Sequence, residues 1–167
     1  MYYDKYESPL GILWLTGCAG MLTGLSFCEQ VPKDMDQAAP EEFDSVKHWL
    51  DDYFRGVPRE MDFSMNPQGT PFQKRIWKLL MEVPFGETKT YGALAREAAR
   101  LLGKEKMSAQ AVGQAVGKNP IAIIIPCHRI IGADGTLTGY ASGLERKQWL
   151  LDHEHREQEA HDALRRF

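Results

Sequence analysis

Cysteine is scarce in this chain: Cys18, Cys28 and Cys127 are the three among 167 residues. An odd number at wide spacing argues against a disulfide framework and fits a reducing compartment. Long apolar runs are also missing. None approaches the roughly 20 residues needed to span a bilayer, and the opening "MYYDKYESPLG" lacks a secretory signal pattern. A cytoplasmic protein with no membrane partner is the expectation. A strong charge excess is lacking too, since the net charge is −3.

What is present suits an ordinary globular chain, with 43% hydrophobic and 26% charged residues. This length fits one domain or two small ones and can bury a real core. The small net charge conceals a division. Residues 1–67 carry 5 Lys/Arg against 12 Asp/Glu, a balance of −7. Residues 68–130 carry 10 against 4, a balance of +6, and residues 131–167 carry 5 against 7. An acidic first part beside a basic middle is the asymmetry expected when one part meets a polyanion, although a solvated basic surface looks the same.

Residues 1–67 read as a small antiparallel sheet and a helix. The runs "YYDKYE", "ILWLTG" and "MLTGLSF" are separated by Pro9-Leu10-Gly11 and Cys18-Ala19-Gly20. "VPKDMDQAAP" reads as a polar connector. In "EEFDSVKHWLDDYFRG", Phe43, Val46, Trp49, Leu50 and Phe54 fall near i, i+3, i+4 spacing and Gly56 marks a stop. "VPREMDFSMNPQG" is the expected linker between a supporting α/β domain over 1–67 and a second domain over 68–167, which ends in a polar tail.

The second domain reads as mainly helical. Thr70 and Gln73 form a capping-box pattern with Pro71 at the first helical position, followed by an apolar face of Phe72, Ile76, Leu79, Leu80 and Val83. After the turn "VPFGETKT", a helix from Tyr91 places Leu94, Ala95 and Ala98 on one face and stops at Gly103. Ser108 can then cap "AQAVGQAVG", and the pair forms a helix-turn-helix pattern. Ala109, Ala111, Gly113, Ala115 and Gly117 leave that last helix little bulk. Close helix packing accounts for this composition, and so does close approach of the backbone to a DNA minor groove.

The stretch "IIIPCHRII", residues 123–131, sets a thiol, an imidazole and a guanidinium inside an apolar, strand-like run. An unpaired buried charge is expensive, so such runs ordinarily exclude it. Pro126 fixes φ and interrupts strand pairing, which predicts a turn at this point. Arg129 requires a carboxylate or water. A thiol ionises to a small extent at neutral pH, so Cys127 needs a base, and His128 can serve through a bridging water. The imidazole then needs an orienting acid. Glu154 is the candidate, on a helix predicted to start at Ser142 with Glu145 as its capping-box partner.

"IIPCHRII", "GADGTLTGY" and "GLERKQWLLDHE" together resemble the O6-alkylguanine-DNA alkyltransferases, the methylated-DNA–protein-cysteine methyltransferases. "PFQKRIWKLLMEVPFGETKTYGALA" and "AVGQAVGKNPIAI" resemble the same family in the same order. The likeness is strong over about residues 70–155 and weaker toward the N-terminus, where "ESPLGILWLTG" resembles the family's first strands.

The resemblance implies an α+β fold, with a small N-terminal antiparallel sheet and helix and a helical, winged-helix-like C-terminal domain. It implies DNA repair by single-turnover transfer of an alkyl group from O6-alkylguanine, and also O4-alkylthymine, to Cys127. His128 would act as base through water, with Glu154 orienting it and Asn119 bracing the turn. Tyr91 and Tyr140 would bond the flipped guanine. The Ile130 carbonyl would accept from its amine, and Ala141 and Ser142 would close over the O6 side. Ala109, Gln110, Ala111 and Gly113 would meet the minor groove of double-stranded DNA. Gln110 departs from the arginine many members carry there. Cys18 aligns with a zinc ligand of some members but lacks plausible partners, so no metal and no cofactor are expected. The implied protein is a monomer without an obligatory protein partner. A non-catalytic alkylated-DNA recognition protein on the same scaffold is the alternative, and Cys127 counts against it.

Overall fold

The computed structural model describes residues 1–28, 30–57 and 59–166. The chain forms two compact units, the first made of Met1–Gln68 with Pro120–Ala122, the second of Gly69–Asn119 with the chain from Ile123 onward. No signal in the sequence marks the return of 120–122 to the first unit. It is held there by Leu25 N–H donating to the Pro120 carbonyl and Ala122 N–H donating to the Leu25 carbonyl, each at 2.9 Å.

The first unit contains the strands β1 (Tyr2–Ser8), β2 (Gly11–Cys18), β3 (Met21–Ser26) and β4 (Asp36–Gln37) in the sheet order β3-β2-β1-β4. β1 and β2 pair antiparallel, as do β2 and β3, so the expected meander is present. Period-2 alternation buries Leu13 and Leu15 on β2, the pattern of a half-buried strand. The β2–β3 turn uses positive φ at Ala19 and Gly20. β4 is a correction to the connector reading, because Asp36 and Gln37 add a parallel edge strand opposite Tyr2 and Tyr3. Two polar residues pairing through backbone alone leave no hydrophobic trace. Helix α1 (Asp44–Phe54) buries Val46, Leu50 and Tyr53. It is fastened to β1 by Tyr6 donating to Asp51 at 2.6 Å and Lys47 to Asp4 at 2.6 Å.

The second unit begins with α2 (Pro71–Met81), whose capping box at Thr70 and Gln73 forms in full. Trp77 also belongs to the buried face, and its indole donates to the Ala115 carbonyl at 2.9 Å, tying α2 to α4 (Ala109–Gly117). α3 (Tyr91–Leu101) is capped by Thr90 and followed by Gly103 at φ 65. Ser108 caps α4 (Ala109–Gly117), which buries Val112, Ala115 and Val116 and packs on α2 and α3. The short strands β5 (Lys89–Thr90) and β6 (Ile130–Ile131) pair in parallel.

The last helix, α5, spans Leu144–Arg165. The predicted start at Ser142 with a Glu145 capping box is corrected: Gly143 is the N-cap, at φ 96, with no side-chain capping bond. A glycine tolerates that φ without steric cost, so the chain can enter the helix from a loop. The supposed polar tail is the continuing helix. Its buried stripe is unusual, since Lys147, Leu150, His153 and Glu154 all face inward.

Candidate active site

The run at 123–131 is not the buried strand that its apolar residues predict. Ile123 sits at φ 68, a conformation that costs a β-branched residue energy, and the chain turns through 122–124. Pro126 then lies at φ −83 and ψ 62 while Cys127 N–H donates to the Ile125 carbonyl at 2.8 Å. This is an inverse γ-turn, which proline's fixed φ accommodates. A single 3-10 turn, Cys127–Arg129, follows before β6. The proline thus ends the apolar run and turns the next three side chains into the second unit.

Asn119 braces this turn from the end of α4. Its side-chain amide donates to the Ile125 carbonyl at 2.8 Å and to the Cys127 sulfur at 3.2 Å. The contact with the sulfur was absent from the sequence reading. Burial pushes the Cys127 thiol pKa up. The Asn119 donor, the Lys147 charge and neighbouring backbone N–H groups pull it the other way without reversing it. The resting group is a thiol.

His128 is fully buried, and its Nε2 meets Glu154 Oε2 at 2.5 Å. Glu154, 1% exposed, also receives Arg129 Nε at 2.7 Å, Arg129 Nη2 at 3.2 Å and the Gly86 N–H at 3.2 Å. Burial alone would raise the Glu154 carboxyl pKa. The charges and hydrogen bonds of His128 and Arg129 overcome that and hold it well below the usual carboxylate range. An ionised carboxylate only accepts, so the shared proton resides on Nε2 and Nδ1 carries the lone pair. Nδ1 is buried and has no hydrogen-bond partner among the described residues.

Arg129 supplies the countercharge that Glu154 needs. Its Nη1 also donates to the Val83 carbonyl at 2.7 Å, and its guanidinium lies 5.8 Å from the Phe85 ring centroid. With carboxylate and guanidinium already balanced, the imidazole need not carry a charge. Burial lowers the His128 pKa against the opposing pull of Glu154. A neutral, oriented imidazole with one free basic nitrogen is therefore held next in sequence to a protonated thiol. That arrangement can deprotonate a nucleophile as it attacks.

Asn119 thus meets Cys127, and Glu154 meets His128, in one cluster. Tyr91 donates its hydroxyl to the Thr138 carbonyl at 3.1 Å. The Tyr140 hydroxyl is buried without a hydrogen-bond partner among the described residues, and burial, then the nearby Cys127, raises its pKa far above the usual phenol value. Ile130 is buried and its carbonyl accepts from Lys147 Nζ at 2.6 Å, leaving one lone pair for any other donor. Ala141 is exposed and Ser142 half-buried in the loop before α5. On α4, Ala109 and Gln110 are exposed and Ala111 and Gly113 half-buried, while Val112, Ala115 and Val116 are buried, and Gln110 lies opposite them.

Lys147 and the full role of Arg129 were missed by sequence reasoning. The available signal was a lysine, a histidine and a glutamate on the same helical stripe as Leu150, where a packed helix would ordinarily carry apolar residues. Among the described residues, no group of three or more His, Cys, Asp or Glu could hold a metal ion. No described helix is long and apolar enough to cross a membrane.

Residues 1–67 match the family model of the 6-O-methylguanine DNA methyltransferase ribonuclease-like domain, and residues 71–156 match that of its DNA binding domain. The chain belongs to this family. It is 46% identical over 156 residues to a methylated-DNA–protein-cysteine methyltransferase of Methanosarcina barkeri, covering 90% of this chain and 95% of that one. A protein of the same description from Haemophilus influenzae is 41% identical, with 90% and 84% covered. Among solved structures, that of Mycobacterium tuberculosis OGT in complex with DNA matches with a TM-score of 0.82 at 43% identity, covering 94% of each chain.

Proposed function

We propose that the protein repairs DNA by moving an alkyl group from the O6 atom of guanine, and by the same chemistry the O4 atom of thymine, onto Cys127. The observation that carries this reading is the buried, charge-balanced set of Cys127, His128, Glu154 and Arg129, braced by the half-buried Asn119, in which a neutral imidazole with a free nitrogen serves a protonated thiol. The thiol proton passes to His128 Nδ1, by way of a bridging water. The sulfur attacks the alkyl carbon, a C–S bond forms, and the C–O6 bond breaks with its electron pair retained by the guanine. Glu154 stabilises the imidazolium that forms, and that proton then leaves to solvent while the guanine regains one.

A buried thiol cannot reach a base inside a duplex, so the damaged nucleotide rotates out of the stack. Tyr91, Tyr140 and the Ile130 carbonyl bond the extruded base, with Ala141 and Ser142 beside it. The exposed small-residue side of α4, from Ala109 and Gln110 to Gly113, approaches the minor groove of the duplex, and the protein binds as a monomer. A thioether is a poor leaving group, so each chain acts once.

Quantifying repaired guanine against protein tests this reading. Repair should stop at one guanine per chain, and Cys127→Ser should abolish transfer while retaining duplex affinity. Repeated turnover, or activity in the serine variant, contradicts it.

A further inference from the structure

Lys147 is a buried cation that takes no proton and touches no reacting atom in the proposed transfer, although its charge eases ionisation of Cys127. It is 0% exposed, and taking an ammonium out of water is costly unless its donors are satisfied. Its Nζ donates to the carbonyls of Ile130 at 2.6 Å, Thr138 at 3.0 Å and Gly139 at 3.4 Å. Three ammonium hydrogens meet three carbonyls, the full donor capacity of the group. The same Nζ lies 5.8 Å from the Tyr91 ring centroid, and the Tyr91 hydroxyl holds the Thr138 carbonyl a second time.

These contacts join two parts of the site that are far apart along the loop. Ile130 directly follows the Cys127 turn, while Thr138 and Gly139 directly precede Tyr140. Among the described residues, the loop's own backbone hydrogen bonds fall on either side of that middle. Gly132 N–H donates to the Thr136 carbonyl at 2.9 Å across the loop tip, and Gly143 N–H donates to the Tyr140 carbonyl at 2.9 Å at its far end. Between them, Gly139 at φ 51 is exposed and supplies no side chain to pack. Lys147 and Tyr91 supply the hydrogen bonds that hold the Thr138 and Gly139 carbonyls.

We propose that Lys147 is the positioning residue of the pocket loop, pinning Thr138–Gly139 to Ile130 and so holding Tyr140 at the acceptor site. The pocket's purpose rests on the alkyl-transfer reading above, but the clamp itself can be tested without it. Lys147→Met fills similar space and removes every donor, whereas Lys147→Arg keeps a cation with donors.

Hydrogen exchange of amides 133–142 should quicken by about tenfold or more in Lys147→Met, the effect of losing bonds to a charged donor, with the core of α2 and α4 unchanged. Single-turnover transfer from duplex DNA should slow by a similar factor at unchanged duplex affinity, and Lys147→Arg should recover part of both. Unchanged loop exchange in Lys147→Met overturns the proposal, and so does an arginine variant no better than methionine. Quickened exchange in a protein whose wild type transfers no alkyl group supports the clamp and refutes the alkyl-transfer reading instead. Should Lys147→Met fail to fold, the wild-type ammonium decides. A clamped Nζ gives a slowly exchanging 15N-ammonium resonance, and a freely exchanging one contradicts the clamp.

Discussion

His128 is basic but uncharged because burial disfavours the imidazolium and Arg129 already balances Glu154. Removing that carboxylate should uncouple the set while preserving its shape. Glu154→Gln can still accept from Nε2–H but can no longer stabilise an imidazolium, so alkylation of Cys127 by a small thiol reagent should slow about tenfold or more, the loss expected for a charge-assisted hydrogen bond. The apparent pKa of Cys127 should rise while duplex affinity holds. Identical pH profiles in the wild type and the variant would show that no relay exists. Stability should follow pH for the same reasons. His128 has a folded pKa below its ordinary 6.5, so as pH falls through 6.5 the unfolded chain takes up a proton that the folded one refuses, and stability declines. Glu154, also depressed, adds a further loss below its ordinary 4.5. Cys127 is raised, so the unfolded chain ionises first above 9.0 and stability falls again there. From these three groups, urea midpoints should plateau between about pH 6.5 and 9 and fall on both sides. At alkaline pH the raised Tyr91 and Tyr140 add to the fall, while Lys147, lowered by burial, opposes it. A midpoint that climbs steadily through pH 10 contradicts these assignments.

Gly86 shows how a loop conformation reaches the site. It lies at φ 81 and donates its N–H to Glu154, and a Cβ there would meet the Gln158 Cβ at 2.8 Å, on the helix wall itself. Gly86→Ala should lower stability by about 1–3 kcal/mol, the range for a side chain forced into a sparsely populated φ. A denaturant midpoint equal to wild type would contradict the strain. On α4, Gln110 is exposed beside small residues and belongs to the face assigned to DNA. Gln110→Ala should slow repair of duplex DNA far more than reaction with free O6-benzylguanine, which needs no extrusion. Gln110→Arg should raise the duplex rate and steepen its salt dependence, because one more cation displaces counterions. Equal slowing of both substrates by the alanine variant would place Gln110 in the fold rather than in extrusion. Helix boundaries were legible wherever capping chemistry was local, as at Thr70 and Ser108. They were misread at Ser142, where a glycine at positive φ replaces a side-chain cap. The apolar run around Cys127 was misread as strand-like because five isoleucines dominate residues 123–131, although Pro126 marked a turn. The turn is imposed by Pro126 and by the distant Asn119 amide, and the second of these has no local signature.

Across the whole molecule, the candidate set Cys127, His128 and Glu154 was legible because these residues differ in chemistry from what their elements should carry. Lys147 was not, since a single lysine in a charged helix looks solvated until the tertiary structure turns it inward. The return of 120–122 to the first unit was equally hidden, because backbone pairing at Leu25 sets it rather than any residue pattern. The charge division along the sequence fits a molecule in which the second unit meets DNA. The central claim is covalent, and the tryptic peptide Asn119–Arg129 isolates Cys127 from the other two cysteines. After reaction with excess duplex containing O6-methylguanine, mass spectrometry should find this peptide carrying one methyl group on sulfur in essentially every chain, with Cys18 and Cys28 unmodified. An unmodified Cys127 peptide alongside repaired DNA, or methyl found on Cys18 or Cys28, would contradict the account.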